Sequence, residues 1–131
     1  MNATHSAERV LIVEDEAFLN EAYTTILRKE GYTVDTAFNG KEAIECVKTN
    51  VPALILLDLR MPIMNGVEFL KQLPGSVKKV TKIVVFSNYD VQKEIDEAFS
   101  LGAVHYLLKA WASPKELARV VSKTLRATTV N

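Results

Sequence analysis

The chain reads as an α/β protein: a doubly wound, five-stranded parallel sheet with helices on both faces. Three observations predict this class. Short apolar runs alternate with amphipathic segments along the whole sequence, strand then helix, five times over. The strand-like runs are continuously apolar, as strands covered on both faces are, rather than alternating. The 131 residues suit one domain that buries roughly two-thirds of its unfolded surface.

Each element has its own signal. Val10, Leu11, Ile12 and Val13 form the first strand, which acidic residues stop. Phe18, Leu19, Ala22, Tyr23, Ile26 and Leu27 fall at helical spacing, and Gly31 ends that helix. Residues 32–37 give a second, more polar strand, expected at an edge. Asn39 and Glu42 frame a capping box, and the helix they open buries Ala43, Ile44 and Val47. Residues 53–57 form the third strand, with Asp58 at its carboxyl end. A short helix over residues 64–73 stops at Pro74, and residues 75–81 are expected as a loop. The fourth strand covers residues 82–86. Asp90 caps a fourth helix that buries Val91, Ile95, Ala98 and Phe99 and ends at Gly102. The fifth strand covers residues 104–108. Ser113, Pro114 and Glu116 start the fifth helix, whose inner stripe is Leu117, Val120, Val121, Thr124 and Leu125. The folded domain is expected over residues 8–127, with flexible tails at 1–7 and 128–131.

Composition excludes several classes. Sixteen basic residues balance sixteen acidic ones, so there is no electrostatic footprint for nucleic acid or an anionic membrane. No apolar run approaches the ~20 residues of a membrane span. The first nine residues have no apolar core and do not read as a secretory signal. Cys46 is the one cysteine, which rules out an internal disulfide and favours a reducing compartment. A cytoplasmic protein is expected, with no direct contact to nucleic acid and no membrane insertion.

In open parallel sheets the ligand site lies beyond the carboxyl ends of the strands. Glu14, Asp15 and Glu16 follow the first strand, Asp58 the third, Ser87 and Asn88 the fourth, and Lys109 the fifth. Taken singly, each has an ordinary reading. Acids favour a helix N-terminus, aspartate and serine serve turns and caps, and a lysine is most often a solvated charge. Together they place carboxylates, a hydroxyl and an ammonium on one rim. Clustered carboxylates must protonate or share a cation, and an all-oxygen donor set suits Mg²⁺. A strand-end aspartate can act as a nucleophile and form an acyl phosphate.

At these residues the sequence resembles the receiver domain of two-component response regulators. The segments VLIVEDE, LILLDLRMPIMNGVEFL, IVVFSN and YLLKAW carry the resemblance, which spans roughly residues 9–126. It implies a flavodoxin-like sheet in the order 2-1-3-4-5 and a phosphoryl group on Asp58. It implies that Asp15 and Asp58 bind Mg²⁺ directly, Glu14 through a water, with the Arg60 backbone carbonyl completing the protein ligands. Ser87 matches the switch hydroxyl, Tyr106 the switch aromatic, Lys109 the phosphoryl-binding lysine, and Pro62 and Gly66 the turn after the acceptor. The implied partners are a histidine kinase or histidine phosphotransferase and an unnamed downstream protein. Output would pass through the fourth helix, fifth strand and fifth helix, where a dimer would also form.

Several positions depart from the family pattern. Ala110 follows Lys109 where proline is usual, and a cis bond before alanine costs ~2.5–4 kcal/mol, so a trans bond is favoured and the aim of the lysine is left open. Asn88 replaces a small residue and can narrow access to the acceptor. Arg60 and Tyr89 are expected to flank the path of an attacking water and set the lifetime of the phosphorylated form. Trp111 is expected to pack against the fold. Three rival functions exist. Flavin binding on a similar fold would need a hydroxyl- and glycine-rich loop after the first strand to hold a phosphate, which Glu14, Asp15 and Glu16 would repel. A Mg-dependent phosphatase with an aspartyl nucleophile would need a general acid where Arg60 stands, and arginine stays protonated. A degenerate receiver acting only as a binding module would not need the intact set of acceptor, acids, hydroxyl and lysine. The chain is therefore read as a switch, not a turnover enzyme.

Overall fold

The apolar runs become five strands: β1 (Arg9–Val13), β2 (Thr33–Ala37), β3 (Leu54–Leu57), β4 (Lys82–Ser87) and β5 (Ala103–Leu108). In this computed structural model, which describes residues 8–88 and 92–127 and only the backbone of Trp111, the strands pair in parallel in the order β2-β1-β3-β4-β5. The helices are α1 (Ala17–Lys29), α2 (Gly40–Thr49), α3 (Gly66–Gln72), α4 (Gly75–Lys78), α5 (Gln92–Ser100) and α6 (Pro114–Arg126), with a 3-10 turn over Lys109–Trp111. The fourth and fifth helices expected from the sequence are thus α5 and α6.

Alternate residues of the inner strands feed two separate cores. Leu11, Val13, Ile55, Leu57, Ile83 and Val85 face one side, where Ala43 and Val47 of α2, Phe69 and Leu70 of α3, and Ile95 and Ala98 of α5 cover them. Val10, Ile12, Leu54, Leu56, Val84 and Phe86 face the other, under Leu27 of α1 and Leu117, Val120 and Val121 of α6. A one-residue slip of any inner strand would exchange the two sets. Since both sets are apolar, it is the fit of each set to its own helices that favours the observed register, and the parallel direction of the strands brings their carboxyl ends to one rim.

Three expectations need correction. Residues 75–78 form the short helix α4 rather than loop: Pro74 supplies the extended entry, and Val77 turns inward to a buried position. Phe18 lies in the first turn of α1 and is 81% exposed, because the helix begins at the rim, above the sheet it packs on. The deep face of α1 instead carries Asn20 and Thr24 beside Leu27. Phe99 is 41% exposed, since Ile95 and Ala98 are the residues that turn α5 onto the core. The expected cap at Asp90, the burial of Val91, the packing of the Trp111 side chain and both tails fall outside the described residues.

Helix α3 starts at Gly66 because Asn65 and Glu68 cap it reciprocally. The Asn65 side chain accepts from the Glu68 N–H at 2.9 Å, and Glu68 accepts from the Asn65 N–H at 2.9 Å. Such a cap contributes about 1 kcal/mol and ends the loop after Asp58 at a fixed point.

Candidate functional site

Ladder bonds carry the acids to the rim. The Asp58 N–H donates to the Val13 carbonyl at 3.0 Å, and the Glu14 N–H donates to the Ala37 carbonyl at 3.0 Å. Each acid is therefore the first residue past a strand, held as firmly as the strand itself. Asn20, buried on α1, adds a clamp that the sequence reading missed. Its side-chain amide donates to the Glu14 carbonyl at 3.0 Å and the Ala37 carbonyl at 3.2 Å, tying the ends of β1 and β2 together. Thr24 donates to the Asn20 carbonyl at 2.8 Å. The available signal was an asparagine at a core-facing helical position, where a buried amide requires partners.

The carboxylates meet Lys109. Its ammonium donates to Glu14 Oε1 in a short contact and to Asp58 Oδ2 at 3.0 Å. The three side chains are almost enclosed, at 4% exposure for Lys109, 3% for Glu14 and 8% for Asp58. The other carboxylate oxygens are also taken: Glu14 Oε2 accepts from the Glu16 N–H at 3.0 Å, and Asp58 Oδ1 accepts from the Arg60 N–H at 3.1 Å. The ammonium lies 5.9 Å from the centre of the Phe86 ring, which Tyr23 meets edge-on at 4.9 Å. There is no cis peptide bond among the described residues, so the Lys109–Ala110 bond is trans and the lysine reaches both acids from it.

Burial sets the titration. It pushes the carboxyls of Glu14 and Asp58 above the ordinary carboxylate range, against the pull of Lys109. Burial pulls Lys109 down, but its bond to Glu14 and the charges of Asp58 and Glu14 outweigh that and hold it above an ordinary lysine. One donor oxygen each from Glu14, Asp15 and Asp58 lie within 4.8 Å of one another, Asp15 being the most open of the three. Three carboxylates against one ammonium leave excess negative charge and an all-oxygen donor set, which fits a hard divalent cation.

A cleft of about 180 Å³ brings together Glu14, Asp15, Glu16, Asp58, Arg60, Asn88 and Lys109. Ser87, one residue back along β4, is 1% exposed and pairs with Leu108. Tyr106 is half-buried, pairs with Val85, and packs on the core that α2, α3 and α5 cover. The guanidinium of Arg60 engages Glu94 of α5, at 3.3 Å from Nε and 3.1 Å from Nη2. Sequence could not show this contact, since the partners are 34 residues apart. Tyr89 lies outside the described residues. Gly66 lets the loop after Asp58 fold back closely: a Cβ there would stand 2.6 Å from the Asp58 carbonyl oxygen and 2.8 Å from Leu59 Cα.

No helix among the described residues is long and apolar enough to cross a membrane. Known proteins share this fold. The sequence model of the response regulator receiver domain matches residues 10–122. The chain is 34% identical over 117 residues to the chemotaxis protein CheY of Thermotoga maritima, covering 88% of this chain and 96% of that protein. It is 32% identical over 126 residues to SphR, an alkaline phosphatase synthesis transcriptional regulatory protein of Synechococcus elongatus, covering 89% of this chain and 49% of that one. The structure of the chemotaxis response regulator CheY4 of Vibrio cholerae superimposes with a TM-score of 0.82 at 28% identity, over 89% of this chain and 98% of that one. On its strand order, its rim of acids and lysine, and these matches, the chain belongs to the response regulator receiver domain family.

Proposed function

We propose that the chain is a phosphoacceptor switch, taking a phosphoryl group from a phosphohistidine of a kinase or phosphotransferase onto Asp58. One observation carries the reading: the Asp58 carboxylate is buried at a strand end, one oxygen held by the Arg60 N–H and the other by Lys109, beside two further acids. In the transfer a carboxylate oxygen bonds to phosphorus while the bond from phosphorus to the histidine nitrogen breaks. The products are an acyl phosphate and a free imidazole. Lys109, which already bonds Asp58, would donate to the incoming phosphoryl oxygens with little reorganisation. The ladder bonds and the Asn20 clamp hold the acids in place as charge accumulates.

Mg²⁺ held by Glu14, Asp15, Asp58 and the Arg60 carbonyl would neutralise charge on the transferring group. Ser87 and Tyr106 would report the new charge to the face built from α5, β5 and α6, where a downstream protein or a second copy would dock. Asn88 and Tyr89 would limit access to the acceptor, and Arg60 with Tyr89 would govern the lifetime of the acyl phosphate. A cytoplasmic setting fits this role. A turnover phosphatase fits less well, because Arg60 occupies the general-acid position and its guanidinium is engaged by Glu94. Incubation with acetyl phosphate and Mg²⁺, read by intact mass, should add one phosphoryl group. Asp58→Asn should abolish the gain; a gain that persists in that variant places the acceptor elsewhere.

A further inference from the structure

Arg60 stands between two clefts. One is the acidic cleft of Asp58. The other, about 420 Å³, runs between the loop after β3, α3 and α5, and is lined by Leu59, Met61 and Val67 with Lys71, Glu94 and Glu97. Two ion pairs span the second cleft. Arg60 grips Glu94 with two donors, and Lys71 reaches Glu97 at 3.4 Å. Glu94 and Glu97 are three residues apart on α5, so both project from one face of the helix. Helix α5 buries only Ile95 and Ala98 among its residues, so ties at its edge matter to its placement.

The same residue that grips α5 also touches the acceptor. The Arg60 backbone N–H bonds to Asp58 Oδ1 at 3.1 Å, and the Arg60 side chain borders the acidic cleft. We infer that the Arg60–Glu94 pair is a latch on α5 that phosphorylation of Asp58 opens, by drawing the guanidinium from Glu94 to the phosphoryl oxygens. This rests on the phosphoacceptor reading of Asp58. The exchange has a clear direction. Arg60 and Glu94 are 49% and 35% exposed, so water and salt screen their attraction. A phosphoryl group brings ~1.5–2 negative charges into a better-shielded cleft and offers the bidentate geometry arginine favours. Glu94, in the first turn of α5, tolerates release because the helix N-terminus favours an acid there. This coupling runs through the loop after β3 and is separate from any route through Ser87 and Tyr106.

Linkage makes the latch testable from both ends. If phosphorylation weakens the pair, the pair weakens phosphorylation by the same factor. An exposed ion pair limits that factor to about two- to fivefold. The experiment follows amide exchange in α5 and the Arg60 Nε–H signal by NMR, with and without acetyl phosphate and Mg²⁺. Intact mass is recorded in parallel, for the wild type, Glu94→Gln and the neighbouring control Glu97→Gln. In the wild type, phosphorylation should shift the Arg60 signal and speed α5 exchange about two- to fivefold. Glu94→Gln should show the faster exchange before phosphorylation, gain correspondingly less afterwards, and reach a higher phosphorylated fraction at limiting donor. Glu97→Gln should keep the wild-type shift of Arg60. A phosphorylated wild type with an unmoved Arg60 signal, or a Glu94→Gln variant with wild-type exchange and response, overturns the latch alone. Absence of any mass gain in the wild type overturns the acceptor reading, and the latch with it.

Discussion

Lys109 faces two enclosed carboxylates, and the stability of the site turns on that imbalance. Burial raises Asp58, so its native form is harder to ionise than its unfolded form. Below the unfolded value both forms are protonated and nothing is lost. As pH rises through the raised native value, the folded state loses stability relative to the unfolded one. Without divalent cations, Asp58→Asn should therefore melt at a higher temperature than the wild type at neutral pH, and the gain should vanish in acid. An equal gain at both pH values would point to packing instead. Lys109→Met leaves Glu14 and Asp58 buried without their cation and should cost about 3–5 kcal/mol in urea denaturation at neutral pH. That loss should shrink on acidification, as protonation neutralises both acids. These residues were legible in the sequence because each directly follows an apolar strand. Their pairing was less so: the contact of Lys109 with Glu14, as well as with Asp58, depends on how deeply both side chains are buried.

Among the elements, the segment from β3 to α3 governs the placement of Asp58 most directly. Its two ends are pinned, by the Asp58 N–H on Val13 and by the Asn65–Glu68 cap. Between them the Gly66 N–H donates to the Leu59 carbonyl at 3.0 Å, which draws the chain back against Asp58. Gly66→Ala would press a methyl group against backbone, which cannot swing aside as a side chain can. The substitution should cost about 1–3 kcal/mol and slow phosphorylation of Asp58, read by denaturation and by the rate of mass gain with acetyl phosphate. Wild-type values for both would show that the loop has slack. The strand and helix order was readable from periodicity, since inner strands must be apolar throughout. Helix α4 was not, because four residues are too few to show a period. The first turn of α1 misled for another reason: Phe18 keeps the helical spacing but stands above the end of the sheet.

Over the whole molecule, the proposed switch requires a charge at one rim to alter a face made of α5, β5 and α6. Only differences between the two states count. Lys109 already bonds Asp58, so its contribution to the proposed shift would be small. Ser87 is buried and already engaged within the fold, and would exchange that contact for one to a charged oxygen. The net gain is about 1–2 kcal/mol, a shift of roughly 5- to 30-fold. Moving a population from 1:99 to 99:1 takes about 5.5 kcal/mol. The proposed Arg60–Glu94 exchange would add less than Ser87, so on this reading phosphorylation alone would leave the switch incompletely thrown and a docking partner would supply the rest. Beryllofluoride, which mimics the phosphoryl group, should therefore move amide signals of β5 and α5 only part of the way, to exchange-averaged positions that still shift with temperature. Ser87→Ala should pull those signals back towards their free positions while signals of Glu14 and Asp15 stay displaced. Signals in β5 that reach a fixed limit, or that ignore Ser87→Ala, would show that Ser87 does not carry the shift.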